Sequence, residues 1–115
     1  MHRSAYWYLD YYSNWYNKKS SVYGISDMEW GKQQAQYVWN LIKDDPGAMV
    51  WLDVENGGTS YSPKIDTCWD RVERIIDGFY EEIDKLTGKT QGLYTSYGWL
   101  NDYKSSLRHR PLWLA

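Results

Sequence analysis

Strand-like and helix-like segments alternate along this chain, and that alternation constrains the fold more than any other property of the sequence. Ser4 to Tyr12 is aromatic and apolar and reads as a strand. Ser13 to Gly24 is polar and reads as a long loop. Ser26 and Glu29 have the spacing of a capping box, in which each end closes an orphan backbone N–H of the other. The helix they open is predicted to run to about Lys43, with Met28, Ala35, Val38 and Ile42 on one face, and Asp45-Pro46-Gly47 ends it. Ala48 to Val54 is the second strand. Ser62-Pro63 is expected to open a second helix, with Ser62 as N-cap and Pro63 at its first position. The apolar face of that helix is Ile65, Cys68, Val72, Ile75 or Ile76, Phe79, Ile83 and Leu86, and Gly88 is its C-cap. Gln91 to Thr95 is a third strand, a short helix is expected around Trp99 and Tyr103, and Pro111 to Ala115 begins a fourth strand.

The order β-α-β-α-β-α-β implies parallel strands joined by right-handed crossovers. The expected class is α/β, as part of a TIM-like (β/α) barrel. A complete eight-stranded barrel takes at least ~200 residues, and 115 residues make one domain at most. The expectation is therefore a single partial barrel over residues 1–115, with open outer strands that further strands would cover.

In such folds chemistry gathers at the carboxyl ends of the strands. There the second strand ends in Leu52-Asp53-Val54-Glu55, followed by Asn56-Gly57-Gly58-Thr59-Ser60, a glycine-rich loop. Strand side chains alternate faces, so Asp53 and Glu55 share one, with Cα atoms ~6.6 Å apart. Two carboxyls held that close repel, and at least one should have a raised pKa. The plain alternative is a pair of capping or salt-bridging acids at a loop.

Composition narrows the partners. Eight Trp, twelve Tyr and one Phe make 18% of the chain, weighted toward rings with a polar edge. Such rings stack on flat ligands and still hydrogen-bond, which suits sugars as well as core filling. A net charge of −2 without a basic block gives no nucleic-acid footprint. No apolar run reaches ~18 residues, so no membrane span is expected. No signal peptide is visible: Met1-His2-Arg3-Ser4 runs directly into Tyr and Trp. Cys68 is the single cysteine and is expected to be an inert core residue. His2 and His109 lack a third ligand nearby, so no metal and no cofactor is expected.

Four motifs in order then match one family. Ala5-Tyr6-Trp7-Tyr8 resembles a Gly-Ala-Tyr-His-Phe strand, and Gln34-Ala35-Gln36-Tyr37 a Gln-Ala-x-Tyr/Phe helix. Leu52-Asp53-Val54-Glu55 resembles a Leu-Asp-x-Glu signature. Leu93-Tyr94-Thr95-Ser96 with Pro111-Leu112-Trp113-Leu114-Ala115 resembles Ile-Tyr-Thr-Ser and Leu-Trp-Ile-Ala strands, with Thr87-Gly88-Lys89 ahead of them. Together they resemble the middle and C-terminal part of the family 25 glycoside hydrolases, the lysozymes of phages, bacteria and some fungi. The resemblance implies a (β/α)5(β)3 barrel that acts on the cell wall. It implies peptidoglycan glycan strands as partner, with hydrolysis of the β-1,4 bond between N-acetylmuramic acid and N-acetylglucosamine. The chain departs from the family in two ways. The first-strand aspartate motif and the final segments are not in it, and Ser4 and Trp7 replace the glycine and histidine of the third-strand motif.

The resemblance implies Glu55 as proton donor, with Asp53 deeper, ionised, and holding the Glu55 pKa up. It implies Tyr6, Tyr94 and Trp113 along a sugar groove. Tyr8 joins them by strand alternation with Tyr6, while Trp7 and Trp51 are expected to pack between sheet and helices. Retention, inversion and substrate assistance by the 2-acetamido group all stay open. The competing class is a sugar-binding or structural β/α fragment without catalysis. A chitinase-like Asp-x-Asp-x-Glu strand is disfavoured, because Trp51 stands two residues before Asp53.

Overall fold

The computed structural model describes residues 4–45, 47–57, 62–95 and 110–114. Its elements run β1 (Ser4–Tyr8), α1 (Asp27–Ile42), β2 (Met49–Val54), a 3-10 turn (Ile65–Thr67), α2 (Trp69–Thr87), β3 (Gly92–Thr95) and β4 (Leu112–Leu114). The strands form one parallel sheet in the order β1-β2-β3-β4. Among the described residues the fold is α/β, a four-stranded parallel sheet with two helices, which is the class the alternation predicts. The helix expected around Trp99 and Tyr103, His2 and His109 lie outside the described residues.

Period-two alternation on β2 assigns the faces. Val50, Leu52 and Val54 are fully buried, while Met49, Trp51 and Asp53 between them are not. The buried side carries both helices. It meets Ala35 and Val38 of α1 and Val72, Ile75, Ile76, Phe79 and Ile83 of α2 in one core. Burying an aliphatic side chain of this size contributes ~1.5–3 kcal/mol.

The helix starts differ in how they form. Ser26 Oγ accepts the Glu29 N–H at 3.1 Å, so the predicted N-cap of α1 is real. The second helix does not begin at Ser62-Pro63. Tyr11 donates its hydroxyl to the Pro63 carbonyl, Lys64 stays extended, and only a 3-10 turn precedes Trp69. Cys68 therefore sits at the N-cap rather than within the helix, half-buried, with Sγ 3.4 Å from the Lys64 carbonyl, and still packs against the edge of the core. Gly88 closes α2 at φ 72°, the left-handed conformation expected of it.

β1 also stops earlier than predicted, at Tyr8. Asp10 explains this: its carboxylate accepts the backbone N–H groups of Tyr12 and Ser13, which turns the chain. The buried Gln34 of α1 locks that turn. Its Oε1 accepts from the Asp10 N–H and from Trp7 Nε1, both at 2.9 Å, and its Nε2 donates to the Asp10 carbonyl at 2.8 Å. Beside it, Asp27 is almost fully buried and receives Arg71, Arg74 and Asn14. Burial alone would raise its pKa; the hydrogen bonds from Arg71, Asn14 and Arg74 outweigh that and lower it.

α1 and α2 touch through two glycines. A Cβ on Gly31 would stand 2.0 Å from the Ile75 carbonyl oxygen, and one on Gly78 2.1 Å from that of Met28. An exposed helix glycine changed to alanine gains ~1 kcal/mol. Here the sign reverses: Gly78→Ala should destabilise by at least the ~1–3 kcal/mol of overpacking. Chemical denaturation of the variant checks this, and a rise in stability would refute the close contact.

Candidate active site

The face of the sheet turned away from the helices carries the candidate site residues. Register alone builds it: Tyr8 pairs with Asp53, Asp53 with Tyr94, and Tyr94 with Trp113. One row across four strands thus reads Tyr-Asp-Tyr-Trp. The row beneath reads Tyr6, Trp51 and Gly92. Gly92 leaves room for the Trp51 ring, whose Cε3 would lie 2.5 Å from a Cβ there. Trp51 is therefore on the site face, against Trp113 at 6.0 Å, and not between sheet and helices. Trp7 does lie on the helix side, bonded to Gln34 and 5.2 Å from the Tyr37 ring.

Trp113 gathers the rings. Its centroid is 5.3 Å from that of Tyr94 at 90°, and 5.7 Å from that of Tyr6 at 58°. Tyr6 and Trp113 belong to the two outer strands, three strand spacings or ~14 Å apart in a flat sheet. Their contact is made over a concave face. Tyr6, Asp53, Glu55, Tyr94 and Trp113 line an open cleft of about 450 Å³ there. All but one of the side chains expected at the site from the sequence meet in it. The sixth, Tyr8, is beside the acids, but its hydroxyl donates to the Asn56 carbonyl. Burial first, then the carboxyls of Glu55 and Asp53, push its phenol pKa up.

The acids differ in setting. Glu55 follows the last residue of β2, while Asp53 lies within the strand, and one oxygen of Asp53 is buried with no hydrogen-bond partner. Burial, then the charge of Glu55, then the Glu55 carboxyl within hydrogen-bonding reach, raise the Asp53 pKa to about 7. The expectation of a raised carboxyl in this pair holds, and burial is its first cause. Among the described residues no Lys or Arg pairs with either acid, so the salt-bridge alternative has no partner here. Among the described residues, too, no three His, Cys, Asp or Glu side chains group to hold a metal ion.

Two positioning groups escaped the sequence reading. Tyr11 is fully buried, and its hydroxyl accepts the Gly57 N–H at 2.8 Å while donating to the Pro63 carbonyl at 2.5 Å. Asn56 Oδ1 accepts the Ile65 N–H at 2.9 Å. Together they fasten both ends of the loop that leaves Glu55. The run Tyr11-Tyr12 and the Asn after the acids were visible as residues, but nothing local reveals contacts 46 and 52 positions apart.

The raised Asp53 pKa has a stability consequence. Between pH ~4 and ~7 the folded chain keeps a proton that the unfolded chain has released, so stability falls as pH rises through that window. Asp53→Asn removes the effect. It should raise the melting temperature at pH 8 by on the order of 5 °C and change it little at pH 4. Thermal unfolding at both values tests this; an equal shift at each would contradict it.

Comparison with known proteins identifies the family of the chain. The family model described as Glycosyl hydrolases family 25 matches residues 16–115. No curated protein and no solved structure matches the chain. The match takes in the two acids, Tyr94 and Trp113, and leaves out residues 1–15, which include β1 with Tyr6 and Tyr8. The chain belongs to the glycosyl hydrolases family 25, the lysozyme-type glycoside hydrolases that act on cell-wall peptidoglycan.

Proposed function

We propose that this chain carries the acid–base centre that cleaves the β-1,4 bond between N-acetylmuramic acid and N-acetylglucosamine. The observation that supports it most is the buried, partnerless oxygen of Asp53, beside Glu55, inside a cleft walled by Tyr6, Tyr94 and Trp113. Glycoside hydrolysis needs a protonated acid at the leaving oxygen and a stabiliser for the cationic sugar carbon. A carboxyl pair that keeps one proton up to about pH 7 has that proton ready at neutral pH. Glu55 is the proton donor on this reading, because it lies past the strand end, nearer the loop and the open cleft. Asp53 is the supporting carboxyl: it passes the one proton of the pair to Glu55 as Glu55 protonates the leaving oxygen, which leaves two carboxylates to face the cationic sugar carbon.

The closeness of the pair bears on stereochemistry. Two carboxylates that flank a sugar from opposite faces stand ~5–5.5 Å apart in retaining enzymes and ~6.5–9.5 Å apart in inverting ones. Asp53 and Glu55 lie within hydrogen-bonding reach, so they act from one side. The stabiliser on the other side is then a different group, and the substrate's own 2-acetamido oxygen is the one this chemistry brings with it. Tyr6, Tyr94 and Trp113 hold the sugar by stacking, and Tyr8 holds the Asn56 backbone behind Glu55. The four strands form an arc of a (β/α)5(β)3 barrel on this reading, with the Tyr6–Trp113 contact as its inward curl.

Glu55→Gln in the intact protein should lower the release of reducing sugar from purified cell walls by ~10²–10⁴-fold, the usual weight of a general acid. Unchanged thermal unfolding would show that the variant still folds, and retained activity would sink the donor assignment. The wild-type rate should also fall as pH rises through about 7, where the pair gives up its shared proton. A rate that stays level to pH 9 would contradict this role for the pair.

A further inference from the structure

A second hollow lies on the turn that follows β1, outside the acid cleft. It encloses about 350 Å³ and is lined by Tyr12, Ser13, Tyr16 and Asn17. That volume falls within the ~300–1,000 Å³ of small-ligand sites. We propose that it is a further saccharide subsite, which grips the glycan strand on the β1 side of the acids. The inference rests on the glycosidase reading above and adds to it a ligand contact beyond the cleft.

The lining fits a neutral, hydroxyl-rich ligand. Among the described residues no charged side chain takes part in it. Tyr12 and Tyr16 are joined by a Tyr16 N–H to Tyr12 carbonyl bond of 2.9 Å, one helical turn, which puts both rings on the same side. Among the described residues no hydrogen bond takes up either hydroxyl, or the Asn17 amide NH₂, whose carbonyl oxygen accepts from Lys19. Ser13 gives its hydroxyl proton to Asp10 and keeps lone pairs to accept one from a sugar. Two rings, two donor hydroxyls, an amide and an acceptor are what an N-acetylhexosamine needs: a flat apolar face with polar edges.

The turn is already built in this shape. Asn14, within it, is buried, donates to Asp27 and accepts the Gly24 N–H at 2.7 Å. The Arg71 guanidinium stacks 4.1 Å from the centre of the Trp15 ring, which in turn packs on Tyr16 at 6.2 Å. A preformed site loses little entropy when it binds.

Its placement connects it to the acids. A Cβ on Gly57, two residues past Glu55, would lie 3.4 Å from a Tyr12 ring carbon. Rings of Tyr94 and Trp113 thus stand on the β3–β4 side of the acids, and Tyr12 and Tyr16 on the β1 side. A bond cut at Glu55 would have a sugar held on each side of it.

The test is an NMR titration of the intact protein with N-acetylglucosamine tetramer, alongside the variants Tyr16→Ala and Asn17→Ala. Tyr16 is 59% exposed, so its truncation spares the core. The expected result is shifted amide signals at Ser13, Tyr16 and Asn17, with affinity about tenfold weaker in Tyr16→Ala. Cleavage of a long wall glycan should weaken in both variants, while that of the shortest cleaved oligomer stays unchanged. Shifts confined to the acid cleft, affinity unchanged in both variants, or equal losses on short and long substrates would each overturn the subsite. Binding at Tyr16 without any cleavage by wild type would leave the subsite standing and defeat the glycosidase reading instead.

Discussion

Strand β2 has to satisfy two environments at once, and the rest of the molecule is arranged around that demand. Val50, Leu52 and Val54 go into a fully dry core, while Trp51 and Asp53 between them face the open side. A one-residue slip in pairing would exchange the two sets, putting a carboxylate under the helices and leaving three aliphatic side chains in water. The register is therefore held strongly, and the same register that protects the core aligns Tyr8, Asp53, Tyr94 and Trp113 across the sheet. Stability and site geometry have one origin here.

The helices keep that sheet dry by approaching very closely. Gly31 and Gly78 bring the α1 and α2 backbones together, and Asp27 with Arg71 and Arg74 joins their first turns. Removing one partner from such a buried ionic group leaves charge uncompensated, which costs more than the pair itself contributes. The cluster lies at the same end of the molecule as the turn after β1, since Asn14 from that turn is one of the Asp27 partners. The scaffold of the proposed saccharide subsite is thereby tied to the core.

The acid pair illustrates how environment distinguishes identical functional groups. Both are carboxyls two residues apart, yet one has a buried, partnerless oxygen and the other follows the strand end. Desolvation is the largest cause of the Asp53 shift, with the Glu55 charge second. Sequence spacing gives the repulsion between the two but not the burial. That is why the repulsion was legible in the sequence and the burial was not.

Local chemistry in the sequence determined a good deal: the alternation of strands and helices, the Ser26 cap, the Gly88 stop, the parallel sheet, and the shared face of Asp53 and Glu55, while Tyr6, Tyr94 and Trp113 entered through the family resemblance. These follow from periodicity, caps and motif order, which are properties of neighbouring residues. The tertiary structure alone decided where β1 stops, where α2 starts, and which way Trp51 faces. Each depends on a distant partner: Gln34 holding Asp10, Tyr11 holding Pro63, and Gly92 making room for an indole. It also decided that Tyr11 and Asn56 fasten the loop behind Glu55 and that Gly31 and Gly78 set the helix spacing. Such contacts join residues far apart in the chain, and only the packed backbone brings them within hydrogen-bonding or van der Waals reach.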